Sequence, residues 1–218
     1  MLKTSKNRGP DASGIYLDKV YENIDLDEFC DDNDYDLALG HNMLSVYDKN
    51  EHISKVQPVS DDNLILVLNG SLYNFPTIRN FLSKVGVEAE ITSDAEAILY
   101  LIGFYAEKMD LLKACSAAVR LLDGDYAFAV WDGENLAVVR DPLGVKPLFY
   151  AQKDGLNGFA SSRNALKEVG FSDINTLKPE HILYNWEDIA PAQAIYEKVF
   201  EGDVVKIDKM LRLSVIKR

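Results

Sequence analysis

Cysteine is scarce: the 218 residues hold only Cys30 and Cys115, with no C-x-x-C pair. That excludes a disulfide framework and makes a reducing compartment the expectation. The three histidines, His41, His52 and His181, stand far apart without metal-ligand spacing, so no structural zinc site is expected. No G-x-G-x-x-G, G-x-x-x-x-G-K-S/T or G-x-S-x-G motif occurs, which argues against a βαβ nucleotide fold and a serine-hydrolase elbow. No motif calls for a cofactor. Basic charge is also in deficit, with 23 Lys+Arg against 35 Asp+Glu and a net charge of −12. Without a basic stripe to offset phosphate repulsion, neither nucleic acid nor an anionic membrane is an expected partner. The longest apolar runs are too short to cross a bilayer, and no apolar signal stretch follows Met1 and Leu2. A soluble, cytoplasmic protein is the expectation.

What is present supports a folded chain. Apolar residues make up 47%, enough for a real core in one large domain, or one domain with an appendage. After the turn-like NRGPDASG (7–14), residues 14–20 read as a strand. The acidic segment 22–36 reads as a solvated loop, because clustered like charges repel. A strand is expected over 37–46. LILVLNG (64–70) reads as another strand that stops in a turn at Asn69-Gly70.

Asn74 is placed to cap a helix that tolerates Pro76 in its first turn and ends at Gly86. Ser93 and Glu96 form a capping box ahead of an apolar run to Phe104. A third helix is expected over 111–122. From Tyr126 the apolar period shortens to that of strands, and YAFAVWD, NLAVVRD, KPLFYAQ and LNGFASS read as a four-stranded hairpin meander. A short helix at 163–169, a strand at 181–185 and a helical tail from Asp203 complete the order. Strands, then helices, then antiparallel strands predict an α+β domain with two sheets and outer helices.

Few residues offer chemistry. Cys30 lies among carboxylates that disfavour its thiolate, and Cys115 lies between apolar residues as a core side chain. The ends of two elements, at Asn69-Gly70 and Ser93-Asp94, would gather an amide, backbone N–H groups and a carboxylate, as ligand sites commonly do. The same residues also read as a plain turn and a plain cap. Composition and spacing leave the function open.

Eight segments together carry a resemblance. RGPDASG (8–14), GHNMLSV (40–46), Gln57-Pro58, NGSLYN (69–74), TSDAEAIL (92–99), LLDGDYAFAVWD (121–132), RDPLGVKPLFY (140–150) and FASSRNAL (159–166) resemble the class II glutamine amidotransferase domain of the asparagine synthetase family. The likeness covers roughly 7–185. It implies an αββα four-layer sandwich of the N-terminal-nucleophile hydrolase type, here with the first strand and helix missing. It also implies glutaminase chemistry: an N-terminal cysteine with its own α-amine as base, and ammonia passed to an ATP-using synthetase domain.

By position, Asn69 and Gly70 look like the oxyanion hole, and Asp94 like the carboxylate that receives the substrate ammonium. Three departures stand beside them. The family opens Cys-Gly-Ile some thirty residues before RGPD, whereas this chain opens Met1-Leu2. The carboxylate-binding arginine of GH-x-R-LS is Met43, which forfeits roughly 2–4 kcal/mol of charged hydrogen bonding. The glutamate of N-G-E-x-Y-N is Ser71. Weak or absent glutamine binding and a non-catalytic role are therefore expected.

The expected division is a domain over 1–200, with 22–36 as an acidic insert, and a linker helix over 201–218 resembling the start of a synthetase domain. The family's next motif, SGGxDS, does not follow in this sequence. A separate synthetase-like subunit, or a longer product cut at both ends, is the expected partner or context. The plainer alternative is a tail folded back on the sheet.

Overall fold

The computed structural model describes residues 1–31, 33–45, 55–191 and 204–217. Asp32 of the acidic segment, the last position of the 37–46 strand reading, His52 and the 200/201 boundary lie outside the described residues.

The largest sheet holds six strands. In spatial order they are β12 (Glu187–Ile189), β11 (Ile182–Tyr184), β7 (Leu136–Arg140), β6 (Gly124–Trp131), β5 (Ile65–Leu72) and β4 (Val59–Ser60). Every strand pair in it is antiparallel. Its two faces are both apolar, so the alternation that marks a half-exposed strand is lost in β6 and β7. One face carries Leu66, Leu68, Phe128, Val130 and Val139 against the helices α2 (Phe75–Lys84), α3 (Asp94–Ala106) and α4 (Leu111–Val119). The other face carries Val67, Ala127, Ala129 and Val138 against a second β layer.

That second layer is two three-stranded sheets. One is β2 (Val20–Tyr21), β1 (Ala12–Tyr16) and β3 (Leu39–Met43); the other is β10 (Asn175–Thr176), β8 (Phe149–Lys153) and β9 (Leu156–Ala160). Beyond it, α5 (Arg163–Glu168) buries Leu166 against Ala151, and the short α1 (Leu2–Ser5) lies beside α5 and β3. The order helix, sheet, sheet, helix is the αββα sandwich expected from the sequence.

Three local expectations are corrected. The strand with Asn69 and Gly70 does not stop in a turn: β5 pairs with β6 through Asn69↔Ala127, Gly70↔Tyr126 and on to Leu72↔Gly124. Only a glycine fits at 70, because a Cβ there would strike the Asp125 carbonyl oxygen and lie 2.7 Å from the Tyr126 Cα. The Asn-Gly pair therefore serves close strand approach, a use of glycine that the turn reading overlooked.

Next, the four-stranded meander is two hairpins in different layers, β6–β7 and β8–β9. The crossing segment is held by Asp141, a fully buried carboxylate that accepts from the backbone N–H of Leu143 (3.1 Å), Val145 (2.9 Å) and Lys146 (3.0 Å). Arg140 donates to the carbonyls of Gly144, Lys146 and Leu177 from the other side. Satisfying this loop's backbone internally lets the chain change layers without leaving buried donors unpaired.

Last, Asn74 occupies the N-cap position of α2 without a side-chain capping bond. Its amide instead bridges the loop before β6, giving to Leu121 O and accepting from Asp123 N.

The acidic segment is irregular and largely exposed, as expected, with Leu26 as its one buried anchor among the described residues. The tail forms α6 (Val204–Lys217), whose Ile207, Leu211 and Val215 are 44%, 62% and 76% exposed. No helix of the described residues is long and apolar enough to cross a membrane.

Candidate functional site

The candidate residues are set by strand alternation. Successive side chains on a strand point to opposite faces. On β5, Leu66 and Leu68 face the helices while Val67 faces the second β layer. Asn69 and Ser71 share the face of Val67; Asn69 is half-buried there, and Ser71, near the strand end, is exposed. On β3, Leu39 packs into that same interior, so His41 and Met43 share its direction. The alternate positions confirm the register. Asn42 turns outward to α1, donating to Leu2 O at 2.8 Å and Ser5 Oγ at 3.1 Å, while Gly40 lies under the Leu2 side chain. With β3 packed across from β5, His41, Met43, Asn69 and Ser71 come from facing strands.

The edge of β5 completes the arrangement. Beyond β4, Gln57 acts as a substitute strand: Leu68 N donates to its Oε1 at 2.6 Å, and its Nε2 donates to Leu68 O at 3.2 Å. Leu68 N–H therefore points away from β6. Antiparallel alternation puts the Gly70 N–H on that same outer edge. The Tyr126 carbonyl, opposite Gly70, agrees, since it accepts from Asp141 N on the β7 side. An outward N–H next to an inward asparagine amide is an arrangement able to stabilise a developing oxyanion.

His41 was not singled out from sequence as a site residue. Its ring donates to the Leu68 carbonyl, and its Nδ1 is buried with no hydrogen-bond partner among the described residues. Burial disfavours the imidazolium and lowers its pKa from 6.5 to about 4, with the Leu68 bond working weakly the other way. The ring is neutral at physiological pH. The GH of GHNMLSV was the available signal, but only tertiary packing shows which neighbour the imidazole meets. Gln57 was likewise visible only as part of a motif.

Asp94 begins α3, which packs on the helix side of β5, and its Oδ1 is buried. The capping box expected at Ser93 and Glu96 is present in both directions. Glu96 does more than cap. Its carboxylate accepts from Thr92 N, Thr92 Oγ1, Ser93 N and Ser93 Oγ, and it pairs with Lys55 Nζ at 2.6 Å. Burial works to raise its pKa, but the bonds from Lys55, Thr92 and Ser93 outweigh that and hold it below the ordinary value. Lys55 is raised in turn, chiefly by its bond to Glu96.

Two clefts among the described residues lie elsewhere. One of about 680 Å³ is bounded by Asp61, Tyr100, Phe104, Asp110 and Glu134, the other of about 270 Å³ by Pro10–Ser13 and Asn23–Asp25. Neither is lined by Asn69, Gly70 or Asp94. The inward strand faces are nevertheless the better candidate, because polar side chains and an outward N–H converge there, whereas the large cleft gathers mutually repelling carboxylates.

Comparison with known proteins follows this geometry. Residues 1–210 match the family model described as "Glutamine amidotransferase domain". The chain belongs to that family. This glutamine amidotransferase domain is of class II and is related to asparagine synthetases. It is 33% identical, over the whole chain, to 43% of the putative asparagine synthetase (glutamine-hydrolyzing) 1 of Methanocaldococcus jannaschii.

The glutamine phosphoribosylpyrophosphate amidotransferase of Bacillus subtilis, solved with ADP and GMP, shares its fold. The TM-score is 0.71 at 22% identity, over 91% of this chain and 46% of that one. A glutamine aminotransferase class-II domain protein from Silicibacter pomeroyi gives 0.59 at 13% identity, over 84% and 92%. The domain spans less than half the length of the curated asparagine synthetases it matches, 43% and 31% for two of them.

The chain holds two thiols. Cys115 is fully buried in α4, its pKa driven well up by desolvation, and Cys30 is exposed in the acidic segment.

Proposed function

We propose that this chain is a glutaminase-like domain that does not hydrolyse glutamine itself and serves as a scaffold or regulator beside an ATP-dependent synthetase. The observation that carries the proposal is the pair Met43 and Ser71, which stand on β3 and β5, the strands that also carry His41 and Asn69. The family resemblance places an arginine and a glutamate at these positions, one for each charged end of glutamine. Their replacements offer neither a fork for the carboxylate nor a charge for the ammonium.

What remains, Asn69 and Gly70 as oxyanion donors and Asp94 as an ammonium partner, supports descent from a working site. A synthetase-like subunit or domain is the partner, and 201–218 is the segment that connects to it. The exposed apolar side chains of α6 support that reading, since such a surface is costly in water unless it is covered.

The test is direct. The chain is incubated with L-glutamine and glutamate release is measured; no release above the blank is expected. Turnover clearly above it would overturn the proposal.

A second reading is a portion of a glutamine-hydrolysing asparagine synthetase, with the nucleophile and the synthetase domain outside this chain. The full-length alignment to the archaeal relative favours it. The two readings separate when the chain is assayed joined to the coding sequence on either side of it. Glutaminase activity there supports the second reading, and its continued absence supports the first.

A further inference from the structure

The cleft of about 680 Å³ has no part in the strand-face site, and its lining is chemically one-sided. It lies where the ends of α2 and α3, the start of α4 and the β6–β7 turn meet. Val85, Tyr100, Phe104 and Met109 give it apolar walls that are exposed or only half-buried. Asp61, Glu107, Asp110, Asp132 and Glu134 stand around them, and no Lys, Arg or His is among the lining residues. Lys113 answers only Asp110, at 2.6 Å, while Lys108 stands over the Phe104 ring. The crowded carboxylates are relieved by an occupant that brings cations on an apolar surface.

Helix α6 is such a surface. Lys206, Lys209, Arg212 and Lys217 against Asp208 make it basic on a chain of net charge −12. Helical spacing divides it into two faces. Ile207, Leu211 and Val215 form a purely apolar one. Lys206, Lys209, Met210 and Leu213 share the other, where Met210 and Leu213 are 54% and 49% exposed. Every residue from Val204 to Ile216 is exposed, so the helix is not covered by its own domain.

We propose that the face of α6 carrying Lys206, Lys209, Met210 and Leu213 docks in the α3–α4 cleft of a second copy. Met210 and Leu213 pack on Tyr100 and Phe104, and the ammonium groups lie among the rim carboxylates. Reciprocal exchange closes the pair as a twofold dimer. The face of Ile207, Leu211 and Val215 stays open for a synthetase, so the proposal goes beyond the scaffold reading without competing with it. A contact this small and polar holds loosely, with a Kd on the order of 10–100 μM.

The experiment is sedimentation equilibrium of the full chain. A monomer–dimer equilibrium is expected, weakened at least tenfold when salt rises from about 0.05 to about 0.5 M, because exposed charge pairs are screened. Leu213→Asp should weaken it at least tenfold and Leu211→Asp should leave it unchanged; both residues are exposed, so neither variant threatens the fold. Glu107→Lys with Glu134→Lys, and separately Lys206→Glu with Lys209→Glu, should each abolish self-association. An equimolar mixture of these two double variants should restore a dimer, since a basic cleft then meets an acidic helix and the other contact is unaltered. A monomer up to about 500 μM, equal effects of the Leu211 and Leu213 variants, a dimer indifferent to the cleft variant, or a mixture that stays monomeric overturns the proposal. Each of these leaves the non-hydrolytic reading standing, whereas glutamate release would overturn that reading and leave the dimer untouched.

Discussion

His41 makes stability depend on pH in a window that few other groups share. Its folded pKa is about 4 against 6.5 for an ordinary imidazole, because the folded chain holds the ring desolvated and neutral. Between those values the unfolded chain binds a proton that the folded chain refuses, so stability falls as pH falls. The contribution is complete above about pH 6.5, declines from there to about 4, and is constant below.

A drop from 6.5 to about 4 corresponds to about 3 kcal/mol at about 1.4 kcal/mol per tenfold in proton affinity. That is a large share of the 5–15 kcal/mol typical of a domain. Glu96 acts in a separate window: its carboxyl is held below the ordinary 4.5, so its contribution is present above 4.5 and is lost only at lower pH.

The assay is urea unfolding at intervals from pH 7.5 to 4.5, on the parent and on His41→Gln, which keeps an N–H for the Leu68 carbonyl but cannot ionise. The parent should lose about 2–3 kcal/mol more than the variant over that range. Parallel curves, whatever their absolute offset, would refute the assignment of a desolvated, neutral His41.

Two further perturbations test the fold around the site. Gly70→Ala places a methyl against the Asp125 carbonyl and the Tyr126 backbone; it should cost about 2–4 kcal/mol in urea unfolding, and a neutral result would mean β5 and β6 are farther apart than described. Asp141→Asn exchanges a buried carboxylate for a group with one acceptor oxygen beneath three backbone N–H donors. A loss of about 2–4 kcal/mol is expected from charge-assisted bonds of this kind, and thermal unfolding unchanged within 1 °C would contradict its part in holding the crossing loop.

The sequence alone determined the kinds of elements, because their causes are local. The reciprocal Ser93 and Glu96 cap is written in four consecutive residues, and α3 begins where they place it. The apolar runs of β5, β6 and β7 mark buried strands, and the eight motif segments pointed to an αββα sandwich. Met43 and Ser71 were legible as departures for the same reason, since a motif is a pattern of neighbours in the chain.

Tertiary structure decided what depends on residues distant in sequence. Asn69-Gly70 has the composition of a turn, yet cross-strand pairing with Tyr126 and Ala127 carries the strand through it, because interstrand bonds outweigh a local turn preference. The segments from Tyr126 onward look like one meander, and a buried carboxylate at Asp141 sends half of them to another layer. Gln57 completes β5 as a strand would, and His41 is neutral only because the sheets close over it. The Asp141 bonds span only two to five residues, but which layer the chain enters next, the neutrality of His41 and the open edge of the candidate site were set by packing.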